Sequence, residues 1–243
     1  KVKLESKDFA KYFEEIFIGL GFREAEVHYA LRDSEVDQDR PDAWSDEEIL
    51  SFTTSLRKVS KPIIIAANKT DVDVAEENIK RLQQELEDAI VIPVSSMAEY
   101  VLRRLADNGA IKYMPGDGEF ETIDSSKISD KEAQGLKIIE KNVFARFGNT
   151  GVQKCVNTAV FDLLERVVVY PVEDENHYTD KDGNVLPDAY LMSSGSTPKD
   201  LAFKVHTEIG EKFLGALDAK TKRKIGSEKE LENGDVIKIL VHH

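Results

Sequence analysis

Pro62-Ile63-Ile64-Ile65-Ala66-Ala67-Asn68-Lys69-Thr70-Asp71 joins an unbroken apolar run to a polar tetrapeptide. The run has strand length and no polar alternation, which predicts a strand over 62–67 buried on both faces of a parallel sheet. Asp71 then stands just past the carboxyl end of that strand. A carboxylate there can accept hydrogen bonds from both N1–H and the N2 amino group of guanine. Adenine offers neither donor in that arrangement and would leave the carboxylate unpaired, at far greater cost than a lost apolar contact. The bland alternative is a polar loop in which Asp71 or Asp73 caps the next helix.

The flanking residues favour the sharper reading. A helix is expected over 75–88, with Ile79, Leu82 and Leu86 on one face, and a second apolar strand over 89–94. Ser95-Ser96-Met97 follows it directly. This is a βαβ crossover, so the two strands end on the same edge of the sheet, where ligands bind in open α/β folds. Asn68–Asp71 and Ser95–Met97 are therefore expected to converge. Asp71 would pair with the guanine edge, Lys69 would lay its aliphatic stem over the base, and Asn68 would brace the loop. The Ser96 N–H, within the loop Ser95–Met97, would donate to guanine O6.

A phosphate-binding half is not found. A triphosphate site needs a glycine-rich loop with Lys-Ser/Thr opening a helix, and an Asp for magnesium. The sequence contains no Gly-Lys pair at all. Pro115-Gly116-Asp117-Gly118 carries a carboxylate that would repel phosphate, and it follows no strand. Asp180-Lys181-Asp182-Gly183 reads as a turn, not a metal loop. The expectation is a base pocket without a phosphate cradle, in a chain that by itself does not turn nucleotide over.

Around this segment the organisation is mixed. Residues 7–32 read as helical, with Phe9, Phe13, Ile16, Phe17 and Leu20 at three-to-four spacing, and residues 33–41 as an acidic loop. Ser45 and Glu48 form a capping box that opens a helix over 46–58. Further helices are expected over 97–108, 130–147 and 152–166, with a break at Gly148-Asn149-Thr150-Gly151. From Val167 the pattern changes to a strand over 167–172, a turn at Asp182-Gly183 and an extended stretch over 185–192. Thr197-Pro198 starts a helix, and Asn233-Gly234 turns into a closing strand over 235–241. One helix across a small mixed sheet is a β-grasp pattern. The expected domains are 1–58, helical; 59–166, α/β with helical additions; and 167–243, β-grasp.

Composition narrows the classes. The chain has 243 residues, 41% of them hydrophobic and 33% charged, enough for a real core. A net charge of −13 argues against broad electrostatic binding of nucleic acid. Cys155 stands alone on the apolar side of a helix, which excludes a disulfide framework and suits a reducing cytoplasm. No stretch is long and apolar enough to span a membrane. Lys220-Thr221-Lys222-Arg223-Lys224 is the one basic cluster, a solvated face by default and an RNA contact otherwise. His242 and His243 form a terminal pair expected to be solvated.

With these residues in hand, the chain resembles the Obg/YchF branch of translation-associated GTPases in its archaeal form. Asn68-Lys69-Thr70-Asp71 is similar to that family's guanine motif, and Ser95-Ser96-Met97 to its second base-contact loop. Gly148–Gln153 with Ala159–Leu164 resembles the last helix of its G domain. Val169–Glu175 and Gly195–Ala202 resemble its TGS domain, a β-grasp module shared with threonyl-tRNA synthetases and stringent-response enzymes. Residues 1–58 are similar in character to its helical insertion. The resemblance implies an α/β fold: the C-terminal half of a doubly wound P-loop G domain with a helical insertion, then a ubiquitin-like TGS domain. It also implies GTP with Mg2+, hydrolysis in the complete protein, and a cytoplasmic monomer. Asp71 is intact, which favours GTP over the ATP preferred by some members. The implied partners are the guanine nucleotide and ribosome or RNA through Lys222, Arg223 and Lys224 of the TGS domain. The rival reading is a non-catalytic RNA- or ribosome-binding module. A synthetase or alarmone enzyme is disfavoured, because the βαβ motif precedes the TGS segment. The family's phosphate loop, switch regions and magnesium Asp are not among these residues, so the chain is expected to be part of a larger protein whose sheet edges it exposes.

Overall fold

The computed structural model describes residues 9–86 and 89–242, in two compact units, Lys1–Gly151 and Val152–His243. The first unit begins all-helical: α1 (Phe9–Phe17), a 3-10 turn (Ile18–Leu20), α2 (Glu24–Asp33) and α3 (Asp46–Ser60). The helical stretch expected over 7–32 is made of two α-helices, and its expected first residues, 7 and 8, lie outside the described residues. The break is at Gly21, whose φ of +72° is left-handed and available to a residue without Cβ. The packed part of the apolar stripe stops before that break. Phe9 and Phe13 pack against buried Ala10, Val27, Leu31, Phe52 and Leu56, while Ile16 and Leu20 are more than half exposed. The Ser45 cap forms as expected: Ser45 Oγ accepts from the Glu48 N–H, and Glu48 bonds back to the Ser45 N–H at 2.7 Å.

The α/β part follows as β1 (Ile64–Ala67), α4 (Ala75–Glu85) and β2 (Ile90–Pro93). The strands are parallel, in register from Ile64 opposite Ile90 to Ala67 opposite Pro93. The expected helix end at 88 lies outside the described residues. One expectation fails here. Ala66 of β1 and Ile63 just before it are exposed, so the run is not buried on both faces, and among the described residues β1 pairs with β2 alone.

Beyond β2, α5 (Ser96–Asp107) leads to a small hairpin, β3 (Ile111–Lys112) with β4 (Glu121–Thr122). A continuous helical rod then runs through α6 (Asp130–Ile138), a π-helical segment (Ile139–Phe144) and α7 (Ala145–Phe147). It stops at Gly148, φ +82°, as the sequence predicts. Leu102 and Leu105 of α5, Ile111, and Leu136, Ile139 and Val143 of the rod share one core.

The second unit opens with α8 (Val152–Asn157), extended by a π-helical segment to Leu163. Its sheet has the order β6 (Tyr190–Ser193), β5 (Arg166–Val172), β9 (Asp235–Val241), β7 (Phe213–Asp218), β8 (Arg223–Ile225). β5 and β9 are parallel and the other pairs antiparallel. α9 (Pro198–Val205) packs Leu201 against Val169, Met192, Ala216 and Ile237, and α10 (Thr207–Glu211) follows it. This is the β-grasp arrangement. The extended stretch expected over 185–192 shrinks to Tyr190–Ser193, because Leu186 has φ +43° and Pro187 has no N–H to donate to a ladder. The Asn233-Gly234 turn is locked from both sides: the Val168 N–H donates to Asn233 Oδ1, and the Gly234 N–H to the Val168 carbonyl.

Thr197 caps α9 through its hydroxyl, with Asp200 bonding back to the Thr197 N–H at 2.8 Å and Pro198 at the first helical position. Thr197→Ala removes that acceptor and is expected to lower stability by about 1 kcal/mol, read as a shift of the denaturant midpoint at unchanged slope.

Candidate functional site

β1 delivers the chain to Asn68 beside the end of β2. The Val94 N–H donates to the Ala67 carbonyl and the Thr70 N–H to the Val94 carbonyl, so the two exits are sewn together. The turn between them uses Lys69 at φ +71°, a conformation that costs a non-glycine residue about 1–2 kcal/mol. Such strain persists only where surrounding bonds over-determine it. Here Asn68 supplies them: its Oδ1 accepts the Lys69 N–H at 2.8 Å and the Ser96 N–H at 3.1 Å.

Ser95 ties the second segment to the first. It is fully buried at the N-cap of α5, its Oγ accepting the Ala98 N–H at 3.2 Å and donating to Asp71 Oδ1 at 3.0 Å. Asp71 is half-buried, and among the described residues its other carboxylate oxygen has no recorded partner. All the site residues expected from sequence are therefore assembled: Asn68, Asp71, Ser95 and Ser96 through direct hydrogen bonds, Lys69 in the turn, and Met97 exposed in the first turn of α5. Thr70, between Lys69 and Asp71, is buried with its hydroxyl unpartnered among the described residues.

Several supporting residues gave no signal in the sequence. From the π-helical segment Asn142 Nδ2 donates to the Asp71 carbonyl at 2.8 Å. One turn on, Arg146 donates to the carbonyls of Val72 and Asp73 and pairs with Glu76 at 3.5 Å. Within α5, Glu99 is buried, with Oε1 on Arg103 at 2.6 Å and Oε2 accepting from the Tyr113 hydroxyl at 2.8 Å and the Thr150 hydroxyl at 2.5 Å. Burial pushes the Glu99 carboxyl up, but the bonds from Thr150, Arg103 and Tyr113 outweigh it and hold it below the ordinary value. Its ionised form thus adds stability at neutral pH that is lost as pH falls through that lowered value. The Tyr113 phenol, half-buried and donating to this anion, is pushed up to about 12. Gly151, φ +77°, lies so close to β2 that a Cβ would overlap the Pro93 carbonyl oxygen.

Asp71 therefore presents an acceptor surface at a strand end, beside the start of α5. That geometry fits the donors on a guanine edge. Among the described residues no cluster of three or more His, Cys, Asp or Glu could hold a metal ion. Asp180 instead closes a turn by accepting the N–H groups of Asp182 and Asn184. Burial pushes the Cys155 thiol up, which keeps it protonated, not nucleophilic. No helix of the described residues is long and apolar enough to cross a membrane.

The basic cluster divides. Lys222, φ +62°, folds back over the Tyr178 ring at 5.3 Å and donates to the Glu175 carbonyl. Lys220, Arg223 and Lys224 are exposed. His242 is also exposed; His243 lies outside the described residues.

Comparison with known proteins agrees with this architecture. Residues 66–174 match the "Obg-like GTPase YGR210-like, G4 motif-containing domain", and residues 175–241 match the TGS domain. Over 236 residues the chain is 47% identical to an uncharacterised GTP-binding protein of Methanocaldococcus jannaschii, covering 97% of this chain and 58% of that protein. It superposes on the crystal structure of a GTP-binding protein from Pyrococcus horikoshii with a TM-score of 0.73 and 41% identity, over 99% of this chain and 63% of the other. A 52-residue stretch, 21% of this chain, is 40% identical to a bifunctional (p)ppGpp synthase/hydrolase of Mycobacterium tuberculosis. The chain thus spans about three-fifths of the length of the GTP-binding proteins it matches. The chain carries a YGR210-like G4-motif-containing domain of the Obg-like GTPases joined to a TGS domain.

Proposed function

We propose that this chain reads the base of GTP with Asn68, Lys69, Asp71, Ser95, Ser96 and Met97, as part of a complete protein that hydrolyses GTP with Mg2+. The observation that carries the reading is the Ser95 hydroxyl on Asp71 Oδ1 at 3.0 Å, which fixes the carboxylate while leaving an oxygen for guanine N1–H and N2. Lys69 would cover the base with its stem, and the backbone N–H of Ser96 would donate to O6. The domain plan that goes with it is 1–58 helical, 59–166 G-domain part and 167–243 TGS. Binding of GTP, ATP and inosine triphosphate by the complete protein tests the assignment. Guanine should bind most tightly, inosine more weakly for want of N2, and adenine weakest of all. Equal affinity for GTP and ATP would refute it.

The TGS surface favours a second activity, contact with ribosomal or other RNA in the cytoplasm, on the exposed side chains of Arg223 and Lys224. Arg223→Gln with Lys224→Gln is expected to weaken RNA binding and to flatten its dependence on log salt by about 1–2. Lys222→Gln should change that slope little, since Lys222 is already held by Tyr178 and Glu175. An unchanged slope in the double variant would return the cluster to a solvated face.

A further inference from the structure

We infer that Glu99 is a positioning residue for base recognition, acting through Thr150 and Ser95 on the carboxylate of Asp71. The inference rests on the guanine reading above. Its basis is a short relay of hydrogen bonds. Glu99 Oε2 holds the Thr150 hydroxyl at 2.5 Å. The Thr150 carbonyl accepts the Ser95 N–H at 2.8 Å. The Ser95 hydroxyl donates to Asp71 Oδ1 at 3.0 Å. Glu99, Thr150 and Ser95 are all buried, at 4%, 0% and 0% exposure, so water does not replace a lost bond without rearrangement.

Each end of the relay is anchored. Arg103 and Tyr113 fix the Glu99 carboxylate from two directions. Gly151 sits against the Pro93 carbonyl, so the backbone at Thr150 cannot slide along β2. A buried anion is an expensive way to place a threonine, since a neutral side chain could fill the space more cheaply. What the anion adds is direction: both hydroxyls must donate to it. With its hydroxyl so fixed, Thr150 presents its carbonyl to Ser95 in one orientation, and the Ser95 hydroxyl is left to donate to Asp71.

The test compares GDP with IDP on the complete protein by calorimetry. IDP lacks the N2 amino group, so the affinity ratio reads how well Asp71 is aimed at two donors at once. Thr150→Val, which keeps the volume and removes the link, is expected to cut the GDP/IDP ratio by about tenfold, and Glu99→Ala by at least as much. Glu99→Gln retains a bond to Arg103 and should recover part of the ratio. Tyr113→Phe removes one of the two anchors of the Glu99 carboxylate but not the link to Thr150, and should lower the ratio by less than Thr150→Val. Thermal melts identify any variant that fails to fold; Thr150→Val decides the matter if Glu99→Ala does. Should Glu99→Ala and Thr150→Val weaken GDP and IDP by the same factor, the role is structural and the proposal fails while base reading stands. A wild-type protein that does not separate GDP from IDP would overturn both.

Discussion

Asp71→Asn is expected to exchange guanine for xanthine, lowering GTP affinity by about 10²–10³-fold and raising XTP affinity correspondingly. The direction follows from hydrogen-bond inventory. A carboxylate only accepts, which suits the two donors of guanine, whereas an amide has one acceptor and one donating NH2. Xanthine carries O2 where guanine carries N2–H, so an amide at position 71 can donate to it. The exchange should be clean, because the rest of the site still stands in the variant. The Ser95 hydroxyl can donate to an amide oxygen as it does to Asp71 Oδ1, and Asn142 holds the backbone carbonyl of residue 71, which the substitution leaves alone. Titration with GTP and XTP checks it. GTP affinity unchanged by the substitution would place the base elsewhere.

The second large effect is steric. Gly151→Ala puts a Cβ onto the Pro93 carbonyl oxygen and asks an L-residue to adopt φ +77°. Left-handed backbone costs about 1–2 kcal/mol and forced overpacking a further 1–3 kcal/mol. The sum, roughly 2–5 kcal/mol, should lower the melting temperature by about 5–15 °C for a chain of this size. Gly148→Ala separates the two contributions. Gly148 has nearly the same φ, +82°, with nothing within 4 Å of its Cβ position, so it should show the conformational cost alone. Equal losses in the two variants would mean that β2 yields without resistance. The displacement should also reach the base site, because the neighbouring Thr150 carbonyl holds the Ser95 N–H.

What the sequence made legible was local. The caps at Ser45 and Thr197 depend on a residue three positions on, and both formed. The βαβ pattern placed two strand exits together because parallel crossovers leave little choice, and the Asn68–Ser96 bond bears that out across 28 residues of chain. Elsewhere the reading was coarser than the fold. Residues 7–32 read as helical, but spacing alone does not say that the chain turns at Gly21 between two helices. An apolar run such as 62–67 reports that its residues suit burial, not how many neighbours will provide it. The supporting residues were invisible for a different reason. Asn142 meets Asp71 across 71 positions and Thr150 meets Glu99 across 51, and nothing in the local sequence at either end marks such a pair.

The bond between Asn68 Oδ1 and the Ser96 N–H has a kinetic consequence. In the free protein that amide is already occupied, so an incoming base that seeks it must first evict a side chain. The exchange trades one bond of about 1 kcal/mol for another and leaves little net gain at O6. Affinity would then come mainly from Asp71, while the Asn68 latch slows arrival and departure alike. Residence time and base preference would be set by neighbouring but separate atoms, each open to change without the other.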